Sequence, residues 1–244
     1  MTQIEVMTQI AKPLTKPSRP YFSSGPCPKR PGWSAELVEK VAFLGRSHRA
    51  KYPLEQIKKV LNLTKEILKI PKDYRIAIVP GSDTGAFEML MWSLLGKNNT
   101  TMLVWESFGN DWATDATTQL KLKECNVIKS EYGVLPDLKQ VADDHDICFT
   151  WNGTTSGVRV PNADWIKKNK KRLVLCDATS AVFSQNIDWK KLDAVSFSWQ
   201  KVLGGEGGHG VIVLSPEALN RLVTYRPDRP LPKIFRFVKN GVLL

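Results

Sequence analysis

RIAIVPGSDTGAFEMLMWSLLGKNNTTMLVW, Arg75 to Trp105, decides the fold. It opens on a short apolar run, RIAIV, that reads as a strand. PGSDTG turns the chain, Gly85–Leu95 reads as a helix, and TMLVW is a second strand. Parallel neighbours in a sheet need such a crossover. The pattern continues outward in NVIKS (126–130), DICFT (146–150), RLVLC (172–176), DAVSFS (193–198) and GVIVL (210–214). Helical stretches are predicted at Asp111–Leu122, Asp164–Lys171 and Pro216–Tyr225. Upstream, Leu54, Ile57, Val60, Leu61, Ile67 and Leu68 share one helical face, and Pro71 follows its end. The expected fold is α/β: a doubly wound, mostly parallel sheet of about seven strands.

Residues 1–20 are polar, carry three prolines and read as a loose arm; 21–244 read as one large domain. The 244 residues are 42% hydrophobic and 24% charged, an ordinary globular balance. Cys27, Cys125, Cys148 and Cys176 show no CxxC pairing, and two sit in apolar runs, which predicts reduced thiols and a cytoplasmic setting. Three histidines without ligand spacing give no metal site. No apolar run approaches the ~18 residues of a membrane span. The net charge of +11 is dispersed and accompanies no nucleic-acid motif. Attraction of small anionic substrates fits as well, and so does a generally basic proteome.

In doubly wound sheets, ligands bind beyond the carboxyl ends of the strands. Four such ends carry polar residues. Gly81-Ser-Asp-Thr-Gly85 reads either as a common strand-to-helix turn or as a phosphate cradle of backbone N–H groups. WNGTTSG (151–157) alone reads as a turn. Asp177, directly after RLVLC, is either a helix N-cap or a buried functional carboxylate. Lys201, in VSFSWQKVLGGEGGHGVIVL, follows an apolar strand and precedes glycines, where lysine is rarely found without a role. Gly204–Gly210 lead into a strand, which excludes a dinucleotide fingerprint. Phe108, in WESFGNDW, is either a packing aromatic or a ring that covers a ligand. A lysine, an acid, a phosphate cradle and an aromatic face are together what pyridoxal phosphate requires.

The order SSGP (23–26), GRSHR (45–49), PGSDTGA (80–86), WESFG (105–109), WNGTTSG (151–157), CDATSA (176–181) and SFSWQKVLGG (196–205) resembles the phosphoserine aminotransferases, within the fold-type I, class V pyridoxal-phosphate enzymes. The resemblance implies that Lys201 forms the Schiff base and Asp177 partners the pyridine nitrogen. It further implies that Phe108 stacks on the ring and Thr154 lies near the ring hydroxyl, with Asp83, Thr84 and Gln200 at the phosphate. Ser24, His48 and Arg49 are implied to hold the substrate, Arg49 by gripping a carboxylate with its planar fork. The implied reaction passes the amino group of glutamate to 3-phosphohydroxypyruvate, in serine synthesis, by a cytoplasmic homodimer, with the phosphohydroxythreonine step of vitamin B6 synthesis left open as a second reaction.

Members of that family are longer, so the resemblance also implies a further small domain and a partner-reaching segment beyond Leu244. The apolar residues of IFRFVKNGVLL (234–244) are then expected to need covering. Two other readings stay open: a serine–pyruvate or alanine–glyoxylate type aminotransferase, and a non-catalytic fragment that binds cofactor or a partner chain.

Overall fold

A computed structural model describes residues 14–16, 18, 27–47, 49–169 and 171–243. Seven strands form one sheet: β1 (Arg75–Pro80), β2 (Thr100–Val104), β3 (Cys125–Lys129), β4 (Asp146–Thr150), β5 (Val174–Asp177), β6 (Ala194–Ser198) and β7 (His209–Leu214). Their order is β1-β7-β6-β5-β4-β2-β3. β3, β2, β4, β5 and β6 run parallel, whereas β7 is antiparallel to both β6 and β1. The chain leaves β3 on one side and returns to β4 on the other, so the strand order reverses between β2 and β4. Ligands bind at such a reversal in open α/β sheets.

Residues alternate along each strand between the two faces of the sheet. Met102 and Val104 of β2, Cys148 of β4 and Leu175 of β5 join a core on one face with Phe87, Leu90 and Leu94. Leu103, Ile147, Phe149, Val174 and Cys176 face the other way, into a second core with Trp151, Val160 and Ile166. Burial on both faces is why these strands read as unbroken apolar runs.

The first face is covered by helices. α1 (Ala35–Val41) and α2 (Lys51–Ile67) precede the sheet; α3 (Ser82–Leu94), α4 (Ser107–Thr114) and α5 (Pro216–Thr224) follow β1, β2 and β7. α3 buries Ala86, Phe87, Met89, Leu90, Met91 and Leu94 almost completely. α5 begins at Ser215, whose hydroxyl accepts from the Ala218 N–H and caps the helix. Ser93 Oγ donates to the Phe235 carbonyl, and Phe235, Phe237 and Val238 pack on the same core, so part of the apolar tail finds cover within the chain. Ile234 and Val242 stay exposed, in and beside a hairpin of β8 (Val238–Lys239) and β9 (Val242–Leu243).

Two helical expectations change. Asp111–Leu122 is α4, which starts four residues earlier, followed by a π turn at Asp115–Gln119. The helix expected at Asp164–Lys171 is absent from its described residues. Asparagine side chains compete there for the backbone: Asn162 Oδ1 accepts from Asp164 N at 2.9 Å and Asn169 Oδ1 from Lys171 N at 3.0 Å. Arg172 and Lys191 take the carbonyls of Lys167 and Ile166, which helical bonds would have used.

Candidate active site

At the carboxyl end of the sheet a cavity of about 100 Å³ is lined by residues from five strand ends. Asp83 and Thr84 follow β1, Phe108 and Trp112 follow β2, and Thr150 to Thr154 close β4. Asp177 ends β5, and Gln200 and Lys201 follow β6. Seven residues expected from the sequence (Asp83, Thr84, Phe108, Thr154, Asp177, Gln200, Lys201) therefore meet in one place. A wider cleft of about 650 Å³ near Arg229 and Arg236 has no carboxylate in its wall.

Asp177 is 9% exposed. Its Oδ2 accepts from the Trp112 indole N–H at 3.1 Å, and its Oδ1 from the Thr179 N–H at 3.0 Å. Trp112 is itself held by Phe87, ring centroids 4.9 Å apart. Trp112 went unnoticed in the sequence, although it stands four residues after Phe108, the spacing that brings two side chains to one helix face.

Lys201 sits in a tight turn. Its carbonyl accepts from Gly204 N at 3.1 Å and from Cys27 N at 3.3 Å, while Lys29 Nζ donates to the Gly204 carbonyl at 2.6 Å. Residues 27–29 thus clamp the Lys201 loop from outside. The glycines that follow lead into β7, as the sequence indicates.

The turn before α3 is built for close approach. Gly81 has φ +87° and Ser82 φ +57°, and the latter costs a non-glycine residue about 1–2 kcal/mol. Both N–H groups donate to the Gly208 carbonyl, at 3.2 and 3.4 Å. A side chain at Gly210 would strike the Ser82 carbonyl and Ala86, so only glycine lets β7 pass this turn. The next two N–H groups, of Asp83 and Thr84, have no protein acceptor among the described residues. They sit at the positive end of the α3 dipole, a ready anion site.

The β4 loop is fixed from both sides. Thr154 Oγ1 and Ser180 Oγ are hydrogen-bonded at 2.7 Å. Thr155 donates to Glu106 Oε2 at 3.1 Å, and Glu106 Oε1 accepts from Gly109 N at 2.6 Å, capping α4 under Phe108. Around the cavity, Thr150 Oγ1, Asn152 Oδ1 and Gln200 Oε1 are buried with no partner. Buried polar groups are almost always paired, so this cluster asks for a polar ligand.

Asp83 differs from expectation in detail. Its carboxyl turns inward, 7% exposed, beside Asp177, Ser196 and Thr179. Only its backbone N–H belongs to the turn before α3. Arg49 is exposed beside α2, its N–H donating to Ser47 Oγ at 3.1 Å, and does not line the cavity. Ser24 and His48 lie outside the described residues.

The family model for aminotransferase class-V matches residues 41–229, and the chain belongs to that family. Within it, the phosphoserine aminotransferase of Methanosarcina barkeri is 56% identical over 232 residues, covering 95% of this chain and 62% of its own length. The chain thus spans about three-fifths of that relative. The crystal structure of a phosphoserine aminotransferase from Cytophaga hutchinsonii matches with a TM-score of 0.69 at 28% identity, over 77% of this chain and 52% of that one. A phosphoserine aminotransferase with bound PLP from Trichomonas vaginalis matches with a TM-score of 0.68 at 18% identity, over 88% and 62%, a likeness of fold.

Proposed function

We propose that the cavity holds pyridoxal phosphate and that the protein passes the amino group of L-glutamate to 3-phosphohydroxypyruvate, giving O-phosphoserine and 2-oxoglutarate. One observation carries this: a lysine amine, a doubly hydrogen-bonded aspartate and two unpaired N–H groups at a helix N-terminus share one cavity. The orphaned Thr150, Asn152 and Gln200 groups support a polar occupant, and the residues present fit that cofactor. The 56% identity to the Methanosarcina barkeri protein supports the choice of substrates.

When bound, pyridoxal phosphate supplies an aldehyde that takes up amines and a pyridinium ring that accepts the electrons of a departing Cα proton. Lys201, in the cavity wall, would hold the cofactor through its Nζ and would supply the amine that moves the Cα proton. Asp177 accepts a hydrogen bond from the protonated ring nitrogen. Its own donors, Trp112 and Thr179 N, keep the carboxylate from turning away. Phe108 would cover the ring, the Asp83 and Thr84 N–H groups with Gln200 would hold the phosphate, and Thr154 would serve the ring hydroxyl. Arg49, with Ser24 and His48, grips the substrate's anionic groups. A homodimer belongs to the same proposal, supported by the exposed Leu54, Ile57, Val60 and Leu63 along α2. The vitamin B6 intermediate is a second phosphorylated substrate of suitable class. The four free cysteines support a reducing, cytoplasmic setting.

The test is borohydride reduction of the chain with pyridoxal phosphate, followed by peptide mapping. The cofactor should be fixed on the peptide that contains Lys201 and on no other. Loss of all fixation in Lys201→Ala is expected; fixation elsewhere would refute the assignment.

A further inference from the structure

Two buried carboxyl groups share the cavity wall. Asp83 is 7% exposed and Asp177 9%. Their surroundings differ. Asp177 accepts from Trp112 Nε1 and from Thr179 N. Asp83 Oδ1 has no hydrogen-bond partner; the Thr179 and Ser196 hydroxyls stand beside the carboxyl, yet close no hydrogen bond in this geometry. Among the described residues no cation forms an ion pair with Asp83.

An ionised Asp83 would therefore be an unpaired buried charge next to a second carboxylate, which costs several kcal/mol. Neighbouring carboxyl groups avoid this by retaining a proton on one of them. Asp177 lines the same cavity wall and is the charged acceptor beside Asp83. We propose that Asp83 is a neutral acid whose O–H donates to Asp177, which makes Asp83 a positioning residue for the carboxylate at the base of the cavity.

Burial pushes the Asp83 carboxyl well above the usual carboxylate range, and the Asp177 charge adds to this. The other titratable groups around this end of α3 are Cys176 on β5, Lys201 after β6 and His209 at the start of β7. On α3 itself stands Glu88, and on α5 Arg221, which is bound to Asp146. With Asp83 as a third donor, roughly one of the four lone-pair sites of Asp177 is left for a donor in the cavity. That consequence rests on the pyridoxal-phosphate reading. The shared proton does not, so the two can fail separately.

The experiment uses the 244-residue chain without cofactor. Infrared difference spectra at about pH 7 between wild type and Asp83→Asn should show one carbonyl-stretch band of a protonated carboxylic acid, lost in the variant. In Asp177→Asn the band should vanish at lower pH, because the neighbouring charge is gone. Absence of the band from wild type would overturn the proposal, and so would its survival in Asp83→Asn. A band missing from wild type that emerges in Lys201→Met would assign the neutralising role to the lysine instead.

Thermal unfolding is the second measurement. With a folded-state value raised above the unfolded one, the wild type loses stability as pH rises from about 4 to about 7, because the unfolded chain gives up the Asp83 proton first. Asp83→Asn lacks that loss, so its Tm should gain on the wild type over the same range. A constant difference in Tm would count against a buried neutral acid. With pyridoxal phosphate added, Asp83→Asn, which still offers an N–H, should lose less affinity than Asp83→Leu. Asp83→Leu should lose about ten-fold or more; equal losses in both variants would overturn the donor role.

Discussion

The two ends of the sheet treat their buried carboxyl groups differently. At the amino end, Asp146 at the start of β4 is bound by Arg221 of α5, accepts from Leu173 N at 2.7 Å and from Asn98 at 3.1 Å. Asp193, just before β6, accepts from Lys168 at 2.6 Å, Ser215 at 2.9 Å and Val174 N at 2.9 Å. Burial raises both carboxyl groups, and these partners oppose the rise. At the carboxyl end, Thr150, Asn152, Gln200 and one oxygen of Asp83 are buried without partners. At the amino end the chain itself completes the buried carboxyl groups, and the unpartnered Thr100 Oγ1 and Arg172 Nε are scattered; at the carboxyl end the unpartnered groups gather around one cavity, where a ligand could complete them.

The largest effect should come from breaking the completed end. Arg221→Met removes the cation from Asp146 and leaves a buried carboxylate short of its partner, a loss of about 3–5 kcal/mol. Urea unfolding of the variant measures it. The cavity lies at the other end of β4, so pyridoxal-phosphate affinity of the folded variant should not change. A loss below about 1 kcal/mol, the scale of an exposed pair, would mean that the amino end is not the anchor.

A smaller effect is expected at Arg49, which the structure leaves exposed and outside the cavity. Arg49→Lys keeps the charge and loses the planar fork. If Arg49 grips substrate, glutamate binding to the cofactor-loaded protein should weaken by about 1.5–3 kcal/mol, followed by absorbance titration, while Tm stays within error. Unchanged binding of glutamate and of phosphoserine would make the 45–49 loop a solvated surface and confine recognition to the strand ends.

Much of this contrast was legible in the sequence, and the exceptions are instructive. The five inner strands could be read because burial on both faces makes each a short apolar run, whereas the edge strands β1 and β3 are only partly buried and are legible from their few apolar residues. Lys201, Asp177, Phe108, Thr154 and Gln200 could be gathered because each follows such a run, and the parallel strands bring their carboxyl ends to one edge. The direction of the Asp83 side chain could not be read. It depends on the left-handed Gly81 and Ser82, which rotate the start of α3. Nor does periodicity say what covers a helix face: Leu54, Ile57 and Val60 lie on the expected stripe of α2, yet each is about half exposed. The Asp164–Lys171 stretch has helical composition, and its asparagines override it through local hydrogen bonds.

The smallest expected effect sharpens the contrast most, because its sign differs between the two ends. Thr150 ends β4 inside the cavity wall, 3% exposed, with its hydroxyl unpartnered. Valine has nearly the same shape and no hydroxyl, so Thr150→Val removes the polar group without leaving a hole. An unsatisfied buried polar group costs about 1–3 kcal/mol, part of which the substitution recovers. β-branched valine also suits a strand as well as threonine does. We therefore expect the variant to gain up to about 1 kcal/mol in urea unfolding, while its affinity for pyridoxal phosphate falls. The same logic applied to Ser215, whose hydroxyl serves both Asp193 and the α5 cap, gives the reverse: Ser215→Ala should cost about 1 kcal/mol and leave cofactor binding alone. If Thr150→Val destabilised the chain as much as Ser215→Ala, the Thr150 hydroxyl would be part of the folded scaffold, and the division between a completed end and an open one would not hold.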